Sequence, residues 1–129
     1  MEQTQVQQNR VVVVSQPGLL RDALVSWLAS FAGVGDIACA GGSLTALDMI
    51  RQQPPHLLVI DNTLPEEEVA ALVRQVKGEW PAIVCLVFSS THRPQQQRHD
   101  AGADAIVPRH GSPQEMETTL RRLTRNGAV

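Results

Sequence analysis

Four consecutive valines, Val11 to Val14, set the pattern for the rest of the chain. A β-branched run without polar alternation predicts a strand buried on both faces, because a half-exposed strand would alternate. Similar runs recur at Ile37-Ala38-Cys39-Ala40, Leu57-Leu58-Val59-Ile60, Ala82 to Phe88 and Ala105-Ile106-Val107. Between them the apolar residues fall at helical spacing: Leu20, Leu24, Trp27, Leu28 and Phe31, then Leu44, Leu47 and Ile50. Val69, Leu72, Val73 and Val76 give a third such stripe, and Met116, Leu120 and Leu123 a last one. Each stripe predicts a helix with one face toward a core. Pro94 to Ala101 is polar and Gln-rich, and predicts a helix with little apolar stripe.

The punctuation agrees with this order. Pro17-Gly18 separates the first strand from the first helix, which Gly33 and Gly35 are expected to close. Ser43 is the expected N-cap of the second helix, and Pro54-Pro55 ends it. Pro65 starts the third helix, with Glu66, Glu67 and Glu68 well placed against its N-terminal dipole. Ser112-Pro113-Gln114-Glu115 fits a capping box before the last helix. Strand and helix thus alternate five times, which predicts an α/β fold with a doubly wound five-stranded parallel sheet and helices on both faces. Ligands of such sheets gather outside the carboxyl ends of the strands. Ser15 and Gln16, Asp61, Ser89 and Arg109, each just past a strand, are therefore expected to converge. Residues 1–9 read as a loose tail, 10–125 as the domain, and 126–129 as a C-terminal tail or the start of a linker.

Composition narrows the function classes. A chain of 129 residues, 43% hydrophobic and 19% charged, suits one globular domain with a proper core. A formal charge of -2 offers no pull toward nucleic acid or acidic lipid. No apolar stretch approaches the roughly 18 residues that a membrane span needs. The Gln-rich start lacks a signal-like apolar segment, so a cytoplasmic protein is expected. Cys39 and Cys85 sit in apolar segments without CxxC spacing and read as buried reduced thiols. His56, His92, His99 and His110 show no ligand spacing on one element, so no zinc site is expected.

Several segments together resemble a known family. Val11-Val12-Val13-Val14-Ser15-Gln16-Pro17-Gly18-Leu19-Leu20-Arg21 resembles the opening of response-regulator receiver domains of the NarL/FixJ subfamily. Leu58-Val59-Ile60-Asp61-Asn62-Thr63-Leu64-Pro65 is similar to their phosphoacceptor segment. Ala101-Gly102-Ala103-Asp104-Ala105 matches the turn before their fifth strand, and Ser112 to Glu115 their final helix start. The resemblance runs from Val11 to Leu123 in the right order. It implies the flavodoxin-like strand order 2-1-3-4-5 and a non-enzymatic signalling role in a two-component system. The phosphoacceptor it implies is Asp61, a carboxylate expected in an exposed crevice where it can act as nucleophile. Ser89 takes the place of the phosphoryl-following hydroxyl, and Thr63 lies beside a backbone carbonyl expected to face the site.

The rest of the implied machinery has changed. Receivers end their first strand with an acidic pair that holds Mg²⁺, and those positions are Ser15 and Gln16 here. Mg²⁺ usually requires one or two carboxylates besides phosphate oxygens, so Asp61 alone predicts weak or absent binding. The family's lysine falls at Arg109, a longer planar fork that either contacts a phosphoryl group or pairs with Asp61. Lys77, the chain's one lysine, belongs to the third helix and cannot replace it. The aromatic switch of the fifth strand falls at Ile106. These changes predict an atypical receiver that signals by protein contact; a receiver phosphorylated at Asp61 with weak metal dependence is the alternative.

The resemblance also implies partners: a histidine kinase or another regulatory protein, an attached helix-turn-helix output domain of a transcription regulator, and a second copy in a homodimer. No membrane partner, no resident cofactor and no direct nucleic-acid binding by this domain are expected. Arg121, Arg122 and Arg125 read as a solvated helix end rather than a DNA contact. A small flavodoxin-like protein binding a nucleotide or flavin is the rival reading. Gly33-Val34-Gly35 follows a helix and lacks the third glycine of the dinucleotide fingerprint. Gly41-Gly42-Ser43 precedes a helix and could hold a phosphate, but it reads as a tight turn with an N-cap.

Overall fold

The valine run forms the strand around which the sheet is ordered. In the computed structural model, which describes residues 9–61, 63–89, 102–108 and 113–123, β1 (Asn9–Val14) lies between β2 (Val34–Ala40) and β3 (Leu57–Ile60). Beyond β3 come β4 (Val84–Ser89) and β5 (Ala105–Pro108), giving the order β2-β1-β3-β4-β5, all parallel. The helices are α1 (Leu19–Ala29), α2 (Ser43–Gln52), α3 (Glu66–Glu79) and α4 (Pro113–Leu123). Alternate strand residues feed two cores. Val12, Val14, Leu58, Ile60, Cys85 and Val87 pack with Leu47 and Ile50 of α2 and Leu72, Val73 and Val76 of α3. Val11, Val13, Leu57, Val59, Leu86 and Phe88 pack with Leu24 and Leu28 of α1 and Leu120 and Leu123 of α4. Both faces of the central strands are covered, which is why their sequence shows no polar alternation. Each fully buried Leu or Ile contributes about 1.5–3 kcal/mol of transfer free energy.

Several element boundaries differ from the sequence expectation, each for a tertiary reason. β1 begins at Asn9, because the Asn9 backbone N–H and its Nδ2 both donate to the Gly33 carbonyl, each at 2.9 Å. That pairing draws the following segment into β2 from Val34, so Gly35 lies within a strand instead of closing a helix. α1 ends earlier, at Ala29, with Ser30 in a helical C-cap conformation. Ser43 is the first residue of α2 and not its cap. Gly42 holds the cap position, and Glu68 of α3 accepts the Ser43 N–H at 3.0 Å. β4 starts at Val84, since the Ile83 N–H bonds the Trp80 carbonyl and closes a turn. The expected helix at 94–101, residues 1–8 of the expected N-terminal tail, the expected C-terminal tail at 126–129 with residues 124–125 before it, and Arg109, His92, His99, His110 and Ser112 lie outside the described residues.

Lys77 has a structural task at the opposite end of the sheet from Asp61. Its Nζ donates to the Pro81 and Ile83 carbonyls and to Asp104 Oδ2, at 3.1, 2.8 and 3.0 Å. The same Asp104 oxygen accepts the Cys85 N–H at 2.8 Å, and the Asp104 N–H returns to the Cys85 carbonyl at 2.9 Å. One lysine and one aspartate thus pin the end of α3 and the start of β5 to β4. Gly102 approaches this cluster with φ +101, and a Cβ there would lie 3.4 Å from Lys77 Cγ.

Candidate functional site

The sheet turns its crevice toward the carboxyl end of β1. From β1 the chain passes outward to β2 and then crosses back to β3, so the loops after β1 and β3 leave toward opposite faces, as at the switch point of a doubly wound sheet. Val14 pairs with Ile60, which places the next residues, Ser15 and Asp61, side by side. Ser15 Oγ donates to Asp61 Oδ2 at 3.1 Å. The same hydroxyl lies 3.4 Å from the Gln16 carbonyl, the longer of its two contacts. One step further, the Gln16 N–H donates to Thr63 Oγ1 at 3.0 Å. The end of β1 is therefore stitched to the loop after β3 by two hydrogen bonds.

This closure corrects one expectation. Asp61 does not stand in an exposed crevice: it is 0% exposed, as is Ser15. β3 is flanked by β1 and β4, and the loop after it folds down as Leu64 enters the core and Thr63 bonds Gln16. Arg21 of α1 closes the other side, donating from Nε and Nη2 to the Ser15 carbonyl at 3.1 and 2.7 Å. Gln16, Pro17 and Gly18 remain exposed.

Other expected site residues fall as follows. Ile60 pairs with Val87, so β4 ends beside Asp61, and Ser89 closes that strand opposite Pro108. The Ser89 side chain and Arg109 lie outside the described residues. Ile106 is half-buried in β5 and packs against the core shared by α2 and α3. Lys77 is engaged at the other end of the sheet, as its place in the third helix implied. Sequence reasoning missed Arg21, whose signal was a cation in the first turn of a helix, where the macrodipole disfavours it. It also missed Glu68, one of three glutamates that a dipole argument treats alike.

The donor set does not fit a magnesium ion. Asp61 is the one carboxylate among Ser15, Gln16, Asp61 and Thr63, and both hydroxyls and the Gln16 N–H in that group are bonded within it. Among the described residues no three His, Cys, Asp or Glu side chains gather to hold a metal. A hard cation of this kind calls for more anionic oxygen than one shared carboxylate supplies. Nor does the turn at Gly41-Gly42-Ser43 suit a phosphate, since the Glu68 carboxylate already takes the Ser43 N–H and would repel an anion.

No family model matches the chain. In sequence it is similar to the response regulator MprA of Mycobacterium tuberculosis, 30% identical over 118 residues that cover 90% of this chain and 50% of that protein. It is also similar to protein-glutamate methylesterase/protein-glutamine glutaminase 5 of Anaeromyxobacter dehalogenans, 28% identical over 119 residues, 88% of this chain and 33% of that one. The chain thus spans a third to a half of the length of these relatives. In fold it is similar to a two-component response regulator of the LuxR family from Aurantimonas sp. SI85-9A1, with TM-score 0.81 and 21% identity over 95% of this chain and 90% of that one. The signal receiver domain of NarL from Mycobacterium tuberculosis gives TM-score 0.80 and 20% identity, over 93% and 98% of the two chains. Strand order and these likenesses agree: the chain has the fold of response-regulator receiver domains and is similar in sequence to proteins that carry one.

Proposed function

We propose that this receiver domain signals through protein contact, with magnesium-dependent phosphorylation of Asp61 impaired. The observation that carries the reading is the Ser15–Asp61 hydrogen bond at 3.1 Å, made by the residue that stands where receivers carry an acid. A carboxylate that is fully buried and bonded to its neighbour is a poor nucleophile, and Ser15 and Gln16 bring no acid to help hold the cation that phosphoryl transfer uses. Mg²⁺ binding is accordingly weak or absent, and the domain works without a resident cofactor and without enzymatic activity of its own. Its place is the cytoplasm; no helix among the described residues is long and apolar enough to cross a membrane.

Partner surfaces support the same reading. Leu19, Leu20 and Leu44 stand exposed near the Asp61 end of the sheet, at the starts of α1 and α2, an apolar rim suited to a histidine kinase or another regulatory protein. Trp27 and Phe31 of α1 meet edge to face at 5.0 Å, and Arg121 of α4 lies 5.7 Å over the Phe31 ring. This aromatic face, with the Arg121–Glu117 ion pair at its side, is the one proposed for a homodimer. DNA-binding response regulators occur among the similar folds, which favours an attached helix-turn-helix output domain as the downstream partner.

The test is incubation with acetyl phosphate and Mg²⁺ followed by intact mass. The proposal predicts a minor phosphorylated fraction or none. Near-complete conversion that disappears in Asp61→Asn would overturn it, and conversion that persists when Mg²⁺ is chelated would favour instead a receiver phosphorylated with weak metal dependence.

A further inference from the structure

We propose that Arg21 is a positioning residue that acts on Asp61 through Ser15. The inference deepens the reading above and rests on it, because it concerns what keeps the buried carboxylate engaged. Ser15 lies one step past the β1 ladder: its N–H reaches the Ala40 carbonyl, and the Asp61 N–H reaches Val14. No backbone N–H of the described residues reaches the Ser15 carbonyl, which is supplied by Arg21 Nε at 3.1 Å and Nη2 at 2.7 Å. A buried carbonyl needs a donor, and a planar fork with two parallel N–H groups fixes its direction as well as satisfying it.

The placement of Arg21 argues that this contact is its task. It occupies the first turn of α1, where the aligned peptide dipoles oppose a cation. α1 has no side-chain cap, and the link before it runs through exposed Gln16, Pro17 and Gly18, the last with φ +154. The Arg21 fork is thus a direct side-chain tie from the first turn of α1 to the end of β1. Holding the Ser15 carbonyl fixes the peptide plane at the strand end, and with it the direction of the Ser15 side chain. The Gln16 N–H on Thr63 Oγ1 holds the other edge of that plane. Loss of the guanidinium thus removes one of its two ties and loosens Ser15, whose hydroxyl can then turn toward the Gln16 carbonyl 3.4 Å distant at the expense of Asp61.

The experiment reads Asp61 directly. The full chain is labelled with ¹³C at aspartate Cγ, and the Asp61 resonance is assigned from Asp61→Asn. Ser15→Ala should move that resonance. Arg21→Met should move it in the same direction by at least half as much, and Arg21→Lys, which keeps a cationic donor, should restore most of the shift. In a Ser15→Ala background Arg21→Met should move nothing further, because its route to Asp61 has gone. Should Arg21→Met fail to fold, Arg21→Gln supplies the same comparison with one donor retained. An Asp61 resonance unmoved by loss of the guanidinium, or moved equally in both backgrounds, overturns the proposal while leaving the phosphorylation reading intact. A resonance unmoved by Ser15→Ala removes the Ser15–Asp61 contact itself, and both fall together.

Discussion

Replacing Ser15 with alanine removes one oxygen from the most buried polar contact of the site. The hydroxyl donates to Asp61 Oδ2 at 3.1 Å, and both residues are 0% exposed, so no water replaces it without rearrangement. A hydrogen bond to a charged acceptor contributes about 1.5–3 kcal/mol. Alanine loses no packing atom beyond that oxygen, so we expect a net loss of about 2 kcal/mol at neutral pH. With a urea slope of about 1.5 kcal/mol/M, the midpoint of unfolding should fall by about 1 M at unchanged slope. Thr63→Val, which removes a neutral acceptor at an intermediate site, should cost about 1 kcal/mol. The pair Ser15→Ala and Asp61→Asn should couple in a double-mutant cycle, since the donor matters less once the charge is gone. A Ser15→Ala loss under about 0.5 kcal/mol, or strictly additive cycles, would refute the reasoning.

Two further predictions concern the remote cluster. Burial pushes the Cys85 thiol from 9.0 up to about 12, with Lys77 opposing the shift and Asp104 adding to it. The folded chain keeps this proton where the unfolded chain loses it, so the contribution is complete below about pH 9 and declines as pH rises toward 12. The stability difference between the native chain and Cys85→Ala should therefore shrink by about 1.4 kcal/mol per pH unit in that window, measured by urea unfolding; a constant difference contradicts it. Gly102→Ala should cost about 1–2 kcal/mol, because φ +101 disfavours any side chain and the new Cβ meets Lys77 Cγ at 3.4 Å. That lowers the melting temperature by about 3–6 °C, and an unchanged melting temperature speaks against the strain.

The apolar runs made the sheet legible. Val11 to Val14 and Leu57 to Ile60 are buried on both faces in the fold as in the pattern, and the order of strands and helices follows the punctuation. Pairing across the sheet was less readable. Gly35 lies in β2 because Asn9, far away in sequence, fixes the Gly33 carbonyl. Ser43 is not the expected cap: Gly42 holds that position, and Glu68 of another helix accepts the Ser43 N–H. Position in the chain identified Asp61, Ser15 and Gln16 as neighbours, because parallel register brings strand ends together. Whether the crevice stands open is decided by Leu64, Thr63 and Arg21, whose contacts depend on how the loops fold back, and no local pattern encodes that. The Lys77–Asp104 tie was invisible for the same reason: its partners are 27 residues apart.

Calorimetric titration with Mg²⁺ of the native chain beside the Ser15→Asp, Gln16→Asp double variant addresses the central claim directly. A site whose first-strand residues bond the aspartate and its loop should give no saturable heat at millimolar magnesium, while the acidic variant should gain a binding isotherm. Saturable binding by the native chain at millimolar magnesium, lost in Asp61→Asn, would contradict the account.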